Sequence, residues 1–245
     1  MAANWKMYKT AQQATVFFEA FNPLVGGVND CEIVIFPVSL VIPAAVNAVS
    51  GTAIRIGGQN LFWGREGAYT GEISGEMLYA AGATWVLVGH SERRQYFHET
   101  DADVLKKAQS AIAAGLTPII CVGERLEDHK AGKTGEVLVR QFAGGIAGLT
   151  EEQFANVAIA YEPIWAIGMG QTATPEIASE AQKLIRSEAE KRFGRSAAEQ
   201  LRILYGGSVT PEKCDGLMKE PEIDGVLVGG ASLDPEAFAK IVKAA

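Results

Sequence analysis

Three residues of the chain could between them move a proton: Glu162, His90 and Lys6. Glu162 closes an apolar run, Val157 to Tyr161, and is followed by Pro163. The proline biases it toward extended geometry and points its carboxylate off the end of a strand. Trp165, Ala166 and Ile167 come next, so the carboxylate lies beside an apolar, glycine-hinged loop. Such a loop can close, exclude water and raise the basicity of the carboxylate, which is what a general base needs. His90 follows the run Trp85 to Val88 through Gly89 and precedes Ser91 and Glu92, the expected first turn of a helix. A helix N-terminus disfavours an imidazolium, so a neutral His90 that donates to a substrate carbonyl is expected. Lys6 stands near the end of the first apolar run, where an ammonium in the rim of a fold needs an anionic partner. A phosphorylated small molecule supplies one.

Glycines suggest where the phosphate would sit. Gly206, Gly207 and Ser208 follow one apolar run, and Gly229 and Gly230 follow the next. Two consecutive glycine turns of this kind offer backbone N–H groups and a short helix N-terminus to an anion. Other motifs carry less. Gly168 to Ala173 matches a dinucleotide fingerprint in letters only, because the preceding strand ends several residues earlier and no tight strand-turn-helix follows. Gly132-Lys133-Thr134 ends like a P-loop but has Glu127 where the first glycine belongs. His98 and His129 lie in charged, surface-like segments, and no His, Glu or Cys spacing resembles a metal site. Neither a metal nor a cofactor is expected.

The elements that must position these groups repeat. Candidate strands are Ala2 to Lys6, Cys31 to Phe36, Ile54 to Gly58, Trp85 to Val88, Thr117 to Cys121, Val157 to Tyr161, Arg202 to Tyr205 and Gly225 to Val228. Amphipathic stretches separate them, the pattern of a parallel sheet with crossover helices. Thr100, Asp101 and Asp103 open one helix that runs to Ala114 and is closed by Gly115; Thr174 and Pro175 open another that ends near Phe193 and Gly194. No linker or low-complexity tract interrupts the alternation, so residues 1–245 are read as one α/β domain, a (β/α)8 TIM barrel. An open doubly wound sheet is the alternative, since periodicity does not show closure.

The strand ends, read in order, bring Asn4 and Lys6, Gln59 and Asn60, His90, Cys121, Glu162, Ser208, and Gly229 with Gly230 to one rim of such a barrel. Hydrophobic residues make up 48% of the chain and charged residues 21%, enough apolar material for a large core. A net charge of −7 opposes nucleic acid and anionic membrane as partners and leaves a small molecule as the expected one. Cys31, Cys121 and Cys214 are odd in number and widely spaced, which suits packing thiols in a reducing, cytoplasmic setting. No apolar stretch approaches the roughly 20 residues that span a bilayer.

Taken together, the segments Asn4-Trp5-Lys6-Met7, Gly71-Glu72, Gly89 to Arg94, Ala160 to Gly168, Tyr205 to Ser208 and Val228 to Ser232 resemble the triose-phosphate isomerase family, in the same order and over essentially the whole chain. The resemblance implies a homodimeric aldose-ketose isomerase that needs no cofactor and acts on a phosphorylated triose. It implies that Glu162 shuttles the carbon-bound proton of dihydroxyacetone phosphate through an enediol(ate) to give glyceraldehyde 3-phosphate. Lys6 and His90 would polarise the substrate oxygens, with Asn4 helping to place them. Backbone N–H groups of Gly168, Ser208, Gly229 and Gly230 would hold the phosphate, and Ile167 and Leu227 would press on the base when the lid shuts. The loop Leu61 to Tyr69, with Thr70 at its tip, would reach into a partner subunit. The resemblance also brings departures: a first strand expected to be short and weakly paired, Met169 and Gln171 in the lid, and Tyr8 near the dimer contact. Another phosphate-binding barrel, such as a sugar-phosphate epimerase, is one competing reading, against which the trio Lys6, His90 and Glu162 speaks; a non-catalytic metabolite-binding barrel is the other, and it would bind a phosphoglycolate-like anion without turnover.

Overall fold

The computed structural model describes residues 1–167 and 173–245. Eight parallel strands close into a barrel in sequence order: β1 (Ala2–Asn4), β2 (Val34–Phe36), β3 (Arg55–Gly58), β4 (Trp85–Val88), β5 (Thr117–Val122), β6 (Ala158–Tyr161), β7 (Arg202–Tyr205) and β8 (Gly225–Val228). The open-sheet alternative is therefore excluded. β1 is short, as expected, but it is not weakly attached. Ala2, Ala3 and Asn4 pair with Val34, Ile35 and Phe36 on one side, and Ala2 and Ala3 pair with Leu227 and Val228 on the other. The strand stops before Lys6 because Lys6 takes a left-handed backbone, φ 50°, which no ladder accommodates.

Strand alternation sorts the core into two layers. Ala2, Phe36, Leu87, Ile119, Ala158, Leu204 and Leu227 fill the barrel interior. Ala3, Ile35, Val86, Ile120, Ile159, Ile203 and Val226 face outward and pack beneath the helices. Helix boundaries follow the sequence punctuation. Thr100 caps Asp101–Ala113 in a reciprocal box with Asp103, and Gly115 leaves with φ 83°. Thr174 caps Pro175–Phe193, and Gly194 ends it with φ 86°.

The same alternation places the chemistry. Ala2 points inward, so Asn4 and Lys6 continue its row at the barrel mouth; Ala158 and Ala160 lead to Glu162, and Leu204 leads to Gly206. Among the described residues no helix is long and apolar enough to cross a membrane.

Candidate active site

Eleven of the sequence-selected residues line one cavity of about 310 Å³ at the C-terminal mouth of the barrel: Asn4, Lys6, His90, Glu162, Ile167, Gly206, Gly207, Ser208, Leu227, Gly229 and Gly230. Gly168 and the lid positions Met169 and Gln171 lie outside the described residues. Lys6, His90 and Glu162 come from β1, β4 and β6, so only closure of the sheet brings them together.

Lys6 is held by its neighbours more than by its own preference. Its N–H donates to Asn4 Oδ1 at 2.9 Å, and Gln59 Nε2 donates to both Lys6 O and Phe36 O, each at 2.8 Å. These bonds fix a backbone conformation that ordinarily costs a lysine about 1–3 kcal/mol. The ammonium meets Glu92 Oε1 at 2.7 Å. Glu92 and Gln59 are thus parts of the site that the sequence left unassigned. The available signal was position: Glu92 follows His90 by two residues, and Gln59 leaves β3 at the rim that receives Lys6.

His90 is the N-cap of the helix Ser91–Tyr96, and Gly89, with φ 70°, turns the chain between β4 and this cap. The ring Nδ1 accepts the Glu92 N–H at 3.3 Å, so the ring presents Nε2 to the cavity. That nitrogen lies 3.0 Å from Glu162 Oε1, and Glu162 Oε2 accepts the Ser91 N–H at 2.9 Å. The carboxylate is only 2% exposed.

Burial works to raise the Glu162 carboxyl, but the charge and hydrogen bond of His90, the Ser91 N–H and Lys6 outweigh it and hold the group below its ordinary value. The expectation of a base made stronger by dryness is thus not met in this arrangement, because Glu162 is tied to donors. For His90 burial works downward, and Glu162 and Glu92 together carry the imidazole above its ordinary value. The neutral imidazole expected from the sequence is therefore not what this pairing favours.

The space beside the carboxylate depends on a glycine. A Cβ on Gly206 would stand 2.8 Å from Glu162 Cγ, so only glycine leaves the side chain free beside β7.

Beyond Glu162 the chain makes a single 3-10 turn, Ile164–Ala166. Trp165 Nε1 donates to Glu124 Oε1 at 2.7 Å, and the Tyr161 hydroxyl donates to the same oxygen at 3.2 Å. Glu124 is fully buried, and its other oxygen has no partner among the described residues. His129, expected to be an ordinary surface residue, instead stacks on Trp165 with ring centroids 4.0 Å apart, and its Nδ1 lies 3.7 Å from Glu124. Sequence alone hid this arrangement because Glu124, His129 and Trp165 meet only through β5 and β6 being neighbours.

The opposite wall of the cavity is polar backbone. Gly206, Gly207 and Ser208 leave β7, and Gly230–Leu233 form a 3-10 turn after β8. Leu227 lines the same cavity as Lys6 and these turns. Among the described residues no group of His, Cys, Asp or Glu is arranged to hold a metal ion.

Comparisons agree with this geometry. A family model described as triosephosphate isomerase matches residues 1–245. Triosephosphate isomerase of Solibacter usitatus is 60% identical over 242 residues, covering 99% of this chain and 97% of that protein. Its counterpart in Citrifermentans bemidjiense is 52% identical over 243 residues, with the same coverage of 99% and 97%. A crystal structure of triosephosphate isomerase from Bartonella henselae superposes with a TM-score of 0.90 at 38% identity, covering all of this chain and 97% of the other. With closed barrel, converging rim residues and full-length similarity in accord, the chain belongs to the triosephosphate isomerase family.

Proposed function

We propose that the chain interconverts dihydroxyacetone phosphate and D-glyceraldehyde 3-phosphate, with Glu162 as the base that carries the proton between adjacent carbons. The observation that carries this reading is the meeting of a carboxylate, an imidazole and an ammonium in one cavity whose far wall is two glycine turns. Glu162 leaves the Ser91 N–H, takes a proton from the substrate carbon and returns it to the neighbouring carbon. Lys6 and His90 Nε2 hold the two oxygens on which the enediolate charge develops, the electrostatic part of the work. Asn4 places Lys6. N–H groups of Ser208, Gly229 and Gly230, with Gly168 from the lid, receive the phosphate. Ile167 and Leu227 cover the base and keep water from the intermediate. No cofactor enters the reaction, since the steps are proton transfers alone.

The test is a coupled assay of triose-phosphate interconversion run on the purified chain and on Glu162→Ala. Parent turnover with loss in the variant is expected. Parent-level turnover by Glu162→Ala would remove the assigned base. Binding of a phosphoglycolate-like anion with no turnover by the parent would favour the metabolite-binding barrel.

The working form is a homodimer joined through the loop around Thr70. A second cavity of about 500 Å³ shares Asn4, Lys6 and His90 with the first and is bordered by Met7, Ile73 and Phe97. Met7 and Phe97 are exposed, as are Tyr8 and Tyr69. Phe62 packs on Trp63 and Tyr69 within its own loop, yet Tyr69 remains 51% exposed. A loop from a second copy, seated against Met7 and Phe97, covers this surface and stiffens the segment that carries Lys6. All three cysteines are free thiols, which fits a cytoplasmic setting.

A further inference from the structure

Both ends of the cavity are tied to one five-residue stretch. Lys6 serves the reacting end. Three residues later, Lys9 turns away from the cavity with a left-handed backbone, φ 69°, and its Nζ donates to Leu233 O at 2.8 Å. Leu233 is the last residue of the 3-10 turn Gly230–Leu233, whose opposite end offers Gly229 and Gly230 to the cavity. Trp5 Nε1 donates to Ser232 O at 3.1 Å, so the last two carbonyls of the turn both accept from the segment after β1. Inside the turn, Ser232 N and Oγ return to Gly229 O at 2.9 and 2.6 Å.

The ammonium of Lys9 is placed for this contact. It lies 5.4 Å from the Trp5 ring and 5.0 Å from the Phe17 ring, both buried, and makes no ion pair among the described residues. Its preferred partners are therefore two aromatic faces and one carbonyl. Burial lowers its affinity for the proton, with Asp234 opposing.

We propose that Lys9 is a positioning residue for phosphate recognition, clamping the Gly230–Leu233 turn to the segment that carries Lys6 and so fixing the distance between phosphate cradle and catalytic ammonium. The inference rests on the isomerase reading and on the phosphate lying at this turn. Lys6 Cε already packs 3.5 Å from where a Gly229 Cβ would stand, so a turn that drifts moves against Lys6 itself.

The experiment compares the parent with Lys9→Met, which keeps an apolar stem on the rings but loses the donor and charge, and with Lys9→Arg, which keeps both. Readouts are KM and kcat for glyceraldehyde 3-phosphate, the inhibition constant of inorganic phosphate, turnover of unphosphorylated glyceraldehyde, and Tm. The loss of one charged donor predicts that Lys9→Met raises KM and the phosphate inhibition constant by roughly tenfold. Turnover of unphosphorylated glyceraldehyde stays at the parent level, and Lys9→Arg restores phosphate affinity. Trp5→Phe, which removes the neighbouring donor and leaves Lys9 in place, shows the same signature should Lys9→Met fail to fold. A lowered Tm with unchanged phosphate inhibition would make Lys9 a structural residue only and overturn the proposal. So would an equal loss on phosphorylated and unphosphorylated substrates. A parent chain that phosphate does not inhibit would overturn the phosphate cradle itself, and this clamp with it.

Discussion

His90 Nε2 stands 3.0 Å from Glu162 Oε1, while its Nδ1 is engaged by the amide of Glu92 in its own helix. The ring has one free face, and in this arrangement the base occupies it. On the proposed mechanism, substrate and base compete for the same nitrogen, and a carbonyl bound at His90 would displace Glu162 toward carbon, coupling release of the base to arrival of the substrate.

The pH dependence of stability follows from the same pair. Glu162 is held below its ordinary value of 4.5, so its contribution is fully present above pH 4.5 and is lost as pH falls through the lower, folded value. His90 is held above its ordinary value of 6.5 by the same contact, so its share is full below pH 6.5 and is lost as pH rises through the raised value. Thermal melts of the parent and of Glu162→Gln should differ most between pH 4.5 and 6.5 and converge in stronger acid. A difference that grew on acidification below pH 4.5 would contradict the assigned direction.

Lys6→Ala removes the ammonium proposed to face the developing enediolate. Loss of one such preorganised donor costs about 2.7–4 kcal/mol of barrier, a fall in kcat of roughly 100- to 1000-fold. The variant should keep its circular dichroism spectrum, since the Lys6–Glu92 ion pair is partly exposed and contributes little. Steady-state kinetics beside a melt separates the two effects.

Gly206→Ala tests the space beside the base. The added methyl would stand 2.8 Å from Glu162 Cγ and 3.3 Å from Tyr161 O, and the strand backbone cannot retreat. Displacing a reacting group by about 1 Å can cost on the order of 100-fold. We expect kcat to fall by that order with Tm only modestly changed; unaltered kcat would mean that Glu162 does not need this space.

Thr70→Arg places a bulky charge at the loop tip proposed to enter a second copy. Sedimentation should show the parent at twice the chain mass and the variant shifted toward a monomer of lower activity. A parent that is monomeric and fully active at micromolar concentration would remove the dimer.

The sequence displayed the skeleton of the site because each functional side chain ends an apolar run, and run ends are visible as letters. Glu162 before Pro163, His90 after Gly89 and the glycine pairs after β7 and β8 are all of this kind. What it hid are contacts between runs. Glu92 meets Lys6 across 86 positions, and Trp165 meets Glu124 across 41. His129 was misread because a histidine among charged residues gives no hint that a tryptophan from the neighbouring strand's loop will lie on its face. The strand limit was overrun at β1 for a related reason. Ala2 to Lys6 reads as a single extended run, but Asn4 and Gln59 capture the backbone of Lys6 and bend it out of the ladder.

The left-handed backbone at Lys6 has an evolutionary reading. Lys6→Gly would relieve a conformation that costs a lysine about 1–3 kcal/mol, against roughly 0.4–1 kcal/mol for the greater freedom glycine brings to the unfolded chain. Such a variant would fold at least as well as its parent, with the same roughly 100- to 1000-fold fall in kcat expected of Lys6→Ala. Stability alone would thus assign this position to glycine, and on the proposed mechanism it is catalysis that asks for a lysine here.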